Sequence, residues 1–294
     1  MILVAGGTGR LGRLVVDQLL ARGERVRVLT RDRSRMRSFA SGRIEVVEGD
    51  VRIARDTSAA ARGATLVVSA VQGFAGPGNV TPASVDRDGN YNLVEAATAA
   101  GAAFVMVSVV GADTASPMEL FRMKSLAEAR VRSSGLPWTI VRATAFIELW
   151  IALLTETAGA SQRPLVFGRG ENLINFVSVR DVASFVTSVT CDPNARGRTF
   201  ELGGPENLTL NALARLVARN IGRPGEPRHV PRAALHLMAH TLGRLRPAFG
   251  RQVEAALAMD ALPLEFDSVA SRAQYPTIPS TTAAYLLGAG QTGT

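Results

Sequence analysis

Cysteine, lysine and histidine are almost missing from these 294 residues. The single cysteine, Cys191, excludes an internal disulfide and is neutral about a cytosolic setting, so a cytoplasmic location is expected by default. Three histidines leave little for a metal. His236 and His240 have a helical ligand spacing, but HLMAH lacks the acid of HExxH and no third ligand accompanies them, so no metal is expected. No uninterrupted apolar run is long enough to span a bilayer. The first residues read as a strand rather than a signal peptide, because no basic leader precedes them. Aromatic residues make up only 5%, and the arginines behind the net charge of +8 are scattered rather than gathered in a basic run interleaved with aromatics. Direct nucleic-acid binding is therefore disfavoured. Of 33 basic residues one is a lysine, Lys124, which offers a compact ammonium where arginine offers a planar fork.

Against these absences stands a glycine-rich start. Met1 to Ala5 is an apolar run that ends on Gly6-Gly7-Thr8-Gly9-Arg10-Leu11-Gly12, followed by a helix-period stretch with Leu11, Val15, Leu19 and Leu20 on one face. In a strand–turn–helix of this kind Gly6 permits the sharp turn, Gly9 leaves room for a pyrophosphate, and Gly12 lets the helix pack closely on the sheet. The helix N-terminus offers unpaired N–H groups and a positive dipole end to a diphosphate. Gly6, Thr8, Gly9, Arg10, Leu11 and Gly12 are the expected cofactor segment. A second strand, Arg25 to Thr30, ends on Arg31, with Arg33 and Arg35 behind it. An arginine here accommodates a 2′-phosphate, whereas an acid would take a ribose 2′-hydroxyl. NADP(H) is therefore expected over NAD(H), with Asp32 the dissenting residue.

Further strands are expected at Arg43 to Val47, Thr65 to Val71, Ala103 to Ser108 and Leu136 to Val141, with helices at Pro82 to Ala100 and Met118 to Ser133. Asp50 and Val51 either border the adenine or, for Asp50, cap the helix that begins near Ile53. Ser69 and Ala70, at the end of the fourth strand, are counted with the cofactor site, ahead of a glycine-rich loop from Gln72 to Gly78. Strands alternating with helices imply an α/β, doubly wound parallel sheet. Phe146 and Trp150 then emerge where a substrate would sit, or belong to the core. Beyond Pro164 the rhythm becomes irregular, with strand pieces at 165–167, 173–178 and 199–202 and helices at 179–189 and 209–221. The expected division is a dinucleotide-binding core over 1–145, then remaining sheet elements and a small interleaved C-terminal substrate lobe over 146–294. The tail from Gly288 is expected to fray.

GGTGRLG, LTRD, EGDV, GNYNLVEAA, VSVVGA, MELFRMK, SGLPWTIVRAT and NFVSVRDVA occur in this order. Together they resemble the atypical short-chain dehydrogenase/reductases, NmrA-like subgroup, over residues 1 to about 220. The resemblance implies a Rossmann core, and a YxxxK pair in which tyrosine passes a proton and lysine holds the nicotinamide ribose. Lys124 matches that lysine, but Leu120 stands at the tyrosine position. Ser108 lies on the fifth strand, while the family's catalytic serine column falls nearer Val110, which leaves Ser108 as a strand-end cap. The resemblance implies hydride transfer to an apolar, quinone-like or conjugated small-molecule acceptor. Its alternatives are an NADP(H)-sensing regulator with a protein partner and, with the tyrosine missing, less favourably a nucleotide-sugar epimerase.

Overall fold

The computed structural model describes residues 1–36, 43–74, 76, 78–159, 163–273 and 278–289. The last part of the expected fraying tail, 290–294, and positions 75 and 77 of the glycine-rich loop lie outside the described residues. Two compact units are present: Met1–Ala143 with Val182–Glu201, and Thr144–Asp181 with Leu202–Thr294.

In the first unit, β1 (Ile2–Ala5), β2 (Val26–Thr30), β3 (Ile44–Glu48), β4 (Leu66–Ser69), β5 (Ala103–Val109), β6 (Trp138–Ala143) and β10 (Arg198–Leu202) form a seven-stranded sheet. Its order is β10-β6-β5-β4-β1-β2-β3, and the pairs from β6 through to β3 are parallel. Strand order reverses at β1 and β4, and crevices at such switch points are where open α/β sheets bind ligands. All four residues of β1 and of β4 are buried, as expected of strands covered on both faces. Helices α2 (Ala54–Ala61), α3 (Asn90–Ala100) and α4 (Glu119–Arg132) pack on one face through Ala60, Leu93 and Val131. Helix α1 (Arg10–Ala21) lies on the other, where Val16 and Val28 close around Gly7.

The expected single helix over Pro82 to Ala100 is instead a π-helix over Pro82–Gly89 that runs into α3. Where the two meet, a side chain enters the backbone ladder. The Asn90 side-chain amide donates to the Asp86 carbonyl at 2.7 Å, while the Asn90 backbone N–H bonds Arg87 instead.

The second unit carries α5 (Ile147–Ala158), a three-stranded sheet β11-β9-β7 and a parallel pair β12-β8. Here β7 is Ala145–Phe146, β8 Leu165–Phe167, β9 Leu173–Val177, β11 Glu206–Thr209 and β12 Arg228–Val230. Helix α6 (Val179–Cys191) follows β9 and belongs from Val182 on to the first unit, and α7 (Leu210–Asn220) starts at Thr209, whose hydroxyl caps it by accepting from the Ala212 N–H at 3.0 Å. Asn175 is a buried hub here, accepting from the Gly204 N–H at 2.8 Å and the Thr144 hydroxyl at 2.9 Å and donating to the Asn207 side chain at 3.0 Å. Among the described residues no helix is long and apolar enough to cross a membrane.

A buried charge ties α4 to β5 and β6. Glu128 accepts from the Ser108 hydroxyl at 2.6 Å, from Arg142 at 2.9 and 2.7 Å, and from Arg132 at 2.8 Å. Ser108 is thus part of a charge network rather than a strand-end cap. Burial alone would push the Glu128 carboxyl up, but hydrogen bonds from Arg142 and Ser108 and the Arg142 charge outweigh it and hold it below its ordinary 4.5. A carboxyl lowered in the folded state stabilises above its unfolded value, and that contribution is lost as pH falls through the folded value. Glu128→Gln leaves Arg142 without its counter-charge and is expected to cost about 3 kcal/mol or more in urea denaturation at neutral pH. It is also expected to flatten the acid-side loss of stability; wild-type midpoints at both neutral and acid pH would contradict the assignment.

Candidate dinucleotide site

The crevice beyond β1 and β4 is built by close approach of backbone. Gly6 sits at φ +84°, and a Cβ there would lie 2.6 Å from the Ala70 carbonyl oxygen, so the turn off β1 rests directly on the chain leaving β4. A Cβ on Gly12 would come within 2.2 Å of the Gly6 oxygen, which places the first turn of α1 against the same turn. At Gly9, in contrast, an added Cβ would meet only the Gly6 oxygen, at 3.2 Å, among the described residues. Two of the three glycines are therefore fixed by the protein's own packing, and the third faces outward.

Helix α1 has no side-chain cap and no acid in its first turn, while Arg10 and Arg13 stand exposed there. Cations at a helix N-terminus oppose the dipole by roughly 0.3–1 kcal/mol, a cost that a bound phosphate reverses. Thr8 and Arg10 lie at this open end. Leu11 is buried, so only its backbone belongs to the turn.

At the end of β2 Arg31 is exposed, and Asp32 accepts from the Ser34 N–H at 2.9 Å and hydroxyl at 2.6 Å. The Asp32 carboxylate therefore organises the 3-10 turn Arg33–Met36. Arg35 reaches back to the glycine turn, donating to the Thr8 carbonyl at 3.1 Å, which its sequence position did not indicate. A cavity of about 320 Å³ is lined by Arg33, Ser34, Met36 and Val46.

Asp50, past the end of β3, does not cap α2, whose N-cap position is Ile53 with no side-chain bond. Instead Arg52 grips both carboxylate oxygens, at 3.1, 3.0 and 2.6 Å, and the Asp50 N–H donates to Asp56 at 3.0 Å. Burial raises the Asp50 carboxyl, but the Arg52 bonds and charge, with that of Arg31, hold it below the usual carboxylate range. Val51 packs beside Gly89, and its carbonyl accepts from the Asn92 side chain at 2.9 Å.

Ser69 was expected to line the site, but it is wholly buried and its hydroxyl donates to Asn90 Oδ1 at 2.6 Å. It has no surface to offer a ligand. Ala70 contributes its backbone, with its N–H on the Ala5 carbonyl at 3.0 Å and its own carbonyl against Gly6. Lys124 is 4% exposed and ion-paired to Asp86 at 3.0 Å, and it donates to the Val71 carbonyl at 3.1 Å and the Val107 carbonyl at 3.0 Å. Leu120 is buried one helical turn away.

The second unit holds the two expected substrate residues. Phe146 pairs with Val177 between β7 and β9, and Trp150 packs edge-on to Phe176, with ring centres 6.4 Å apart, against that unit's core. Of the two readings of Trp150, the contacts favour core. His240 bonds the His236 carbonyl through Nδ1 at 2.8 Å, and no cluster of three His, Cys, Asp or Glu side chains among the described residues could hold a metal.

A parallel sheet with a glycine turn at its switch point, an uncapped helix behind it and arginines at the neighbouring strand end define a dinucleotide-binding protein of the Rossmann type. The residues present fit the group: Gly6, Gly9 and Gly12 and the first turn of α1 would hold its pyrophosphate. In keeping with this, the chain matches the NAD(P)H-binding family over residues 6–193 and belongs to it. Among relatives, it is 27% identical over 248 residues to the photosystem II assembly factor Ycf39 of Trieres chinensis, covering 82% of this chain and 76% of that one. It is 29% identical over 228 residues to the NAD(P)H azoreductase of Xenophilus azovorans, covering 76% and 75%. Its fold is that of the NADPH-dependent quinone oxidoreductase QOR2 of Escherichia coli in complex with NADPH, with a TM-score of 0.81, 21% identity and coverage of 99% and 100%.

Gly12→Ala tests the cradle. Helix propensity alone favours alanine by about 0.5–1 kcal/mol, yet the clash with Gly6 is expected to lower the melting temperature and to weaken NADPH binding in calorimetry. An unchanged affinity would show that the turn does not hold the dinucleotide.

Proposed function

We propose that this protein is an NADP(H)-dependent reductase acting on an apolar, quinone-like or conjugated small molecule. The observation that carries the reading is the glycine turn locked against Ala70, open at Gly9, with Arg31 exposed at the end of β2. When bound, the dinucleotide supplies a hydride from its nicotinamide. The chain's own part is to bind and orient it. The turn and α1 receive the pyrophosphate, Arg31 the 2′-phosphate, and the segment of Asp50 and Val51 borders the adenine, with Arg52 fixing the Asp50 carboxylate. NADP(H) is preferred over NAD(H) because Arg31 gives a charge-assisted partner to the extra phosphate.

The acceptor class follows from what α4 lacks. Leu120 puts a buried hydrocarbon where a tyrosine hydroxyl would pass a proton, so an acceptor whose reduced form tolerates negative charge until solvent protonates it suits this site. The names of two relatives support this reading: an azoreductase and a quinone oxidoreductase. The same lack disfavours an epimerase, which needs a base at that position. A second reading, a nucleotide-sensing regulator with a protein partner, gains from the absence of that hydroxyl and from the assembly-factor relative. A cytoplasmic location, with no membrane or nucleic-acid partner, accompanies either reading.

Charge-assisted hydrogen bonds contribute about 1.5–3 kcal/mol, so Arg31→Ala is expected to weaken NADPH by roughly tenfold or more and NADH hardly at all. Equal losses in calorimetry would remove the 2′-phosphate assignment. With NADPH and a panel of quinones and azo dyes, absorbance of the reduced cofactor is expected to fall with at least one acceptor. Binding without turnover across the panel would favour the regulator.

A further inference from the structure

We infer that Lys124 and Asp86 form a buried positioning pair that clamps the chain leaving β4, and that Lys124 is engaged there rather than with a ribose. An ammonium has three N–H donors. Two of them go to the Val71 and Val107 carbonyls, at 3.1 and 3.0 Å, and Nζ is ion-paired with Asp86 Oδ1 at 3.0 Å, an oxygen that makes no hydrogen bond of its own. The other Asp86 oxygen accepts from the Gly73 N–H at 2.8 Å. The two charges thus grip the short segment from Val71 to Gly73 at both ends, one through a carbonyl and the other through an N–H.

The clamp extends to the strand itself. Asn90, the first residue of α3, donates to the Asp86 carbonyl and accepts from Ser69 at 2.6 Å, so residues 69 to 73 are held at three points by Asn90, Asp86 and Lys124. This is the segment whose Ala70 carbonyl forms the wall under Gly6. Burial pushes the Asp86 carboxyl up, and the Lys124 charge and the Gly73 N–H oppose this. Both side chains are at or near zero exposure, 5% for Lys124 and 0% for Asp86, so either charge left alone would be uncompensated in the interior.

The pair also accounts for the chain's one lysine. Acceptors from β5, the π-helical segment and the chain after β4 converge on a single point from three directions. A compact ammonium reaches that point between two carbonyls and a carboxylate; a planar guanidinium, longer and forked, does not fit it. Arginine serves at every other basic position of the sequence, where charge or bidentate geometry suffices.

The ligand part of the test rests on the proposed NADPH binding; the coupling part does not. Lys124→Met, Lys124→Arg, Asp86→Asn and the double variant Asp86→Asn/Lys124→Met would be compared in urea denaturation, and in calorimetry with NADPH and with adenosine 2′,5′-bisphosphate, which lacks nicotinamide and its ribose. All calorimetry is done where circular dichroism shows the variant folded. The pair predicts that each single variant loses stability, that Lys124→Arg is not a rescue, and that the double variant recovers much of the loss. It further predicts that Lys124→Met and Asp86→Asn weaken both ligands to a similar extent, on the order of tenfold, because the wall under the glycine turn moves. A ribose-binding lysine predicts the opposite: loss of NADPH alone on Lys124→Met, no loss on Asp86→Asn, and a double variant as weak as Lys124→Met. Additive stability effects, or a loss confined to NADPH, would overturn the inference. Failure of the wild-type protein to bind either ligand would instead overturn the reductase reading, with the denaturation cycle still deciding the pair.

Discussion

The first unit depends on a backbone contact: the Gly6 turn lies on the Ala70 carbonyl, with Gly12 pressed beneath Gly6. Parallel pairing of β1 with β4 brings the two strand ends side by side, and the missing Cβ atoms of Gly6 and Gly12 let turn, strand end and helix meet at van der Waals distance. Everything that makes the crevice suitable for an anion follows from this. The α1 N-terminus is aimed at the turn, no side chain caps it, and Arg10 and Arg13 are exposed in its first turn.

Around this contact the protein places its buried charges as fasteners. Asp86 and Lys124 fix the chain after β4, and Glu128 gathers Ser108, Arg132 and Arg142 across α4, β5 and β6, while the half-buried Asp50 and Arg52 pair with each other in the loop after β3. In the second unit Asp260 has the same function, accepting from the Arg169 and Gly170 N–H groups at 3.0 Å and pairing with Arg169 and Arg232.

Much of this was legible because it is local. The glycine turn, the strands around it and helix α7, started by Thr209, are written in short-range periodicity and turn chemistry. What escaped depends on partners far apart in sequence. Asp86, in the π-helical segment, is paired with a lysine 38 positions later. The engagement of Ser69 by Asn90, of Ser108 by Glu128 and of Thr8 by Arg35 likewise spans 20 or more residues. Asp50 paired with a near neighbour, Arg52, which the capping alternative overlooked because capping and ion pairing compete for the same oxygens. The small sheets of the second unit are built of short strands, those of β11-β9-β7 gathered at the Asn175 hub, and such strands carry little periodicity of their own.

The central claim is that the turn from Gly6 to Gly12 receives the pyrophosphate of a dinucleotide. A crystal structure of the protein grown with NADPH tests it most directly. The account predicts density for the two phosphates over Gly9 and the first turn of α1, with the Gly6–Ala70 contact unchanged. A dinucleotide bound elsewhere, or a turn that rearranges to fill its own crevice while NADPH stays in solution, would contradict it.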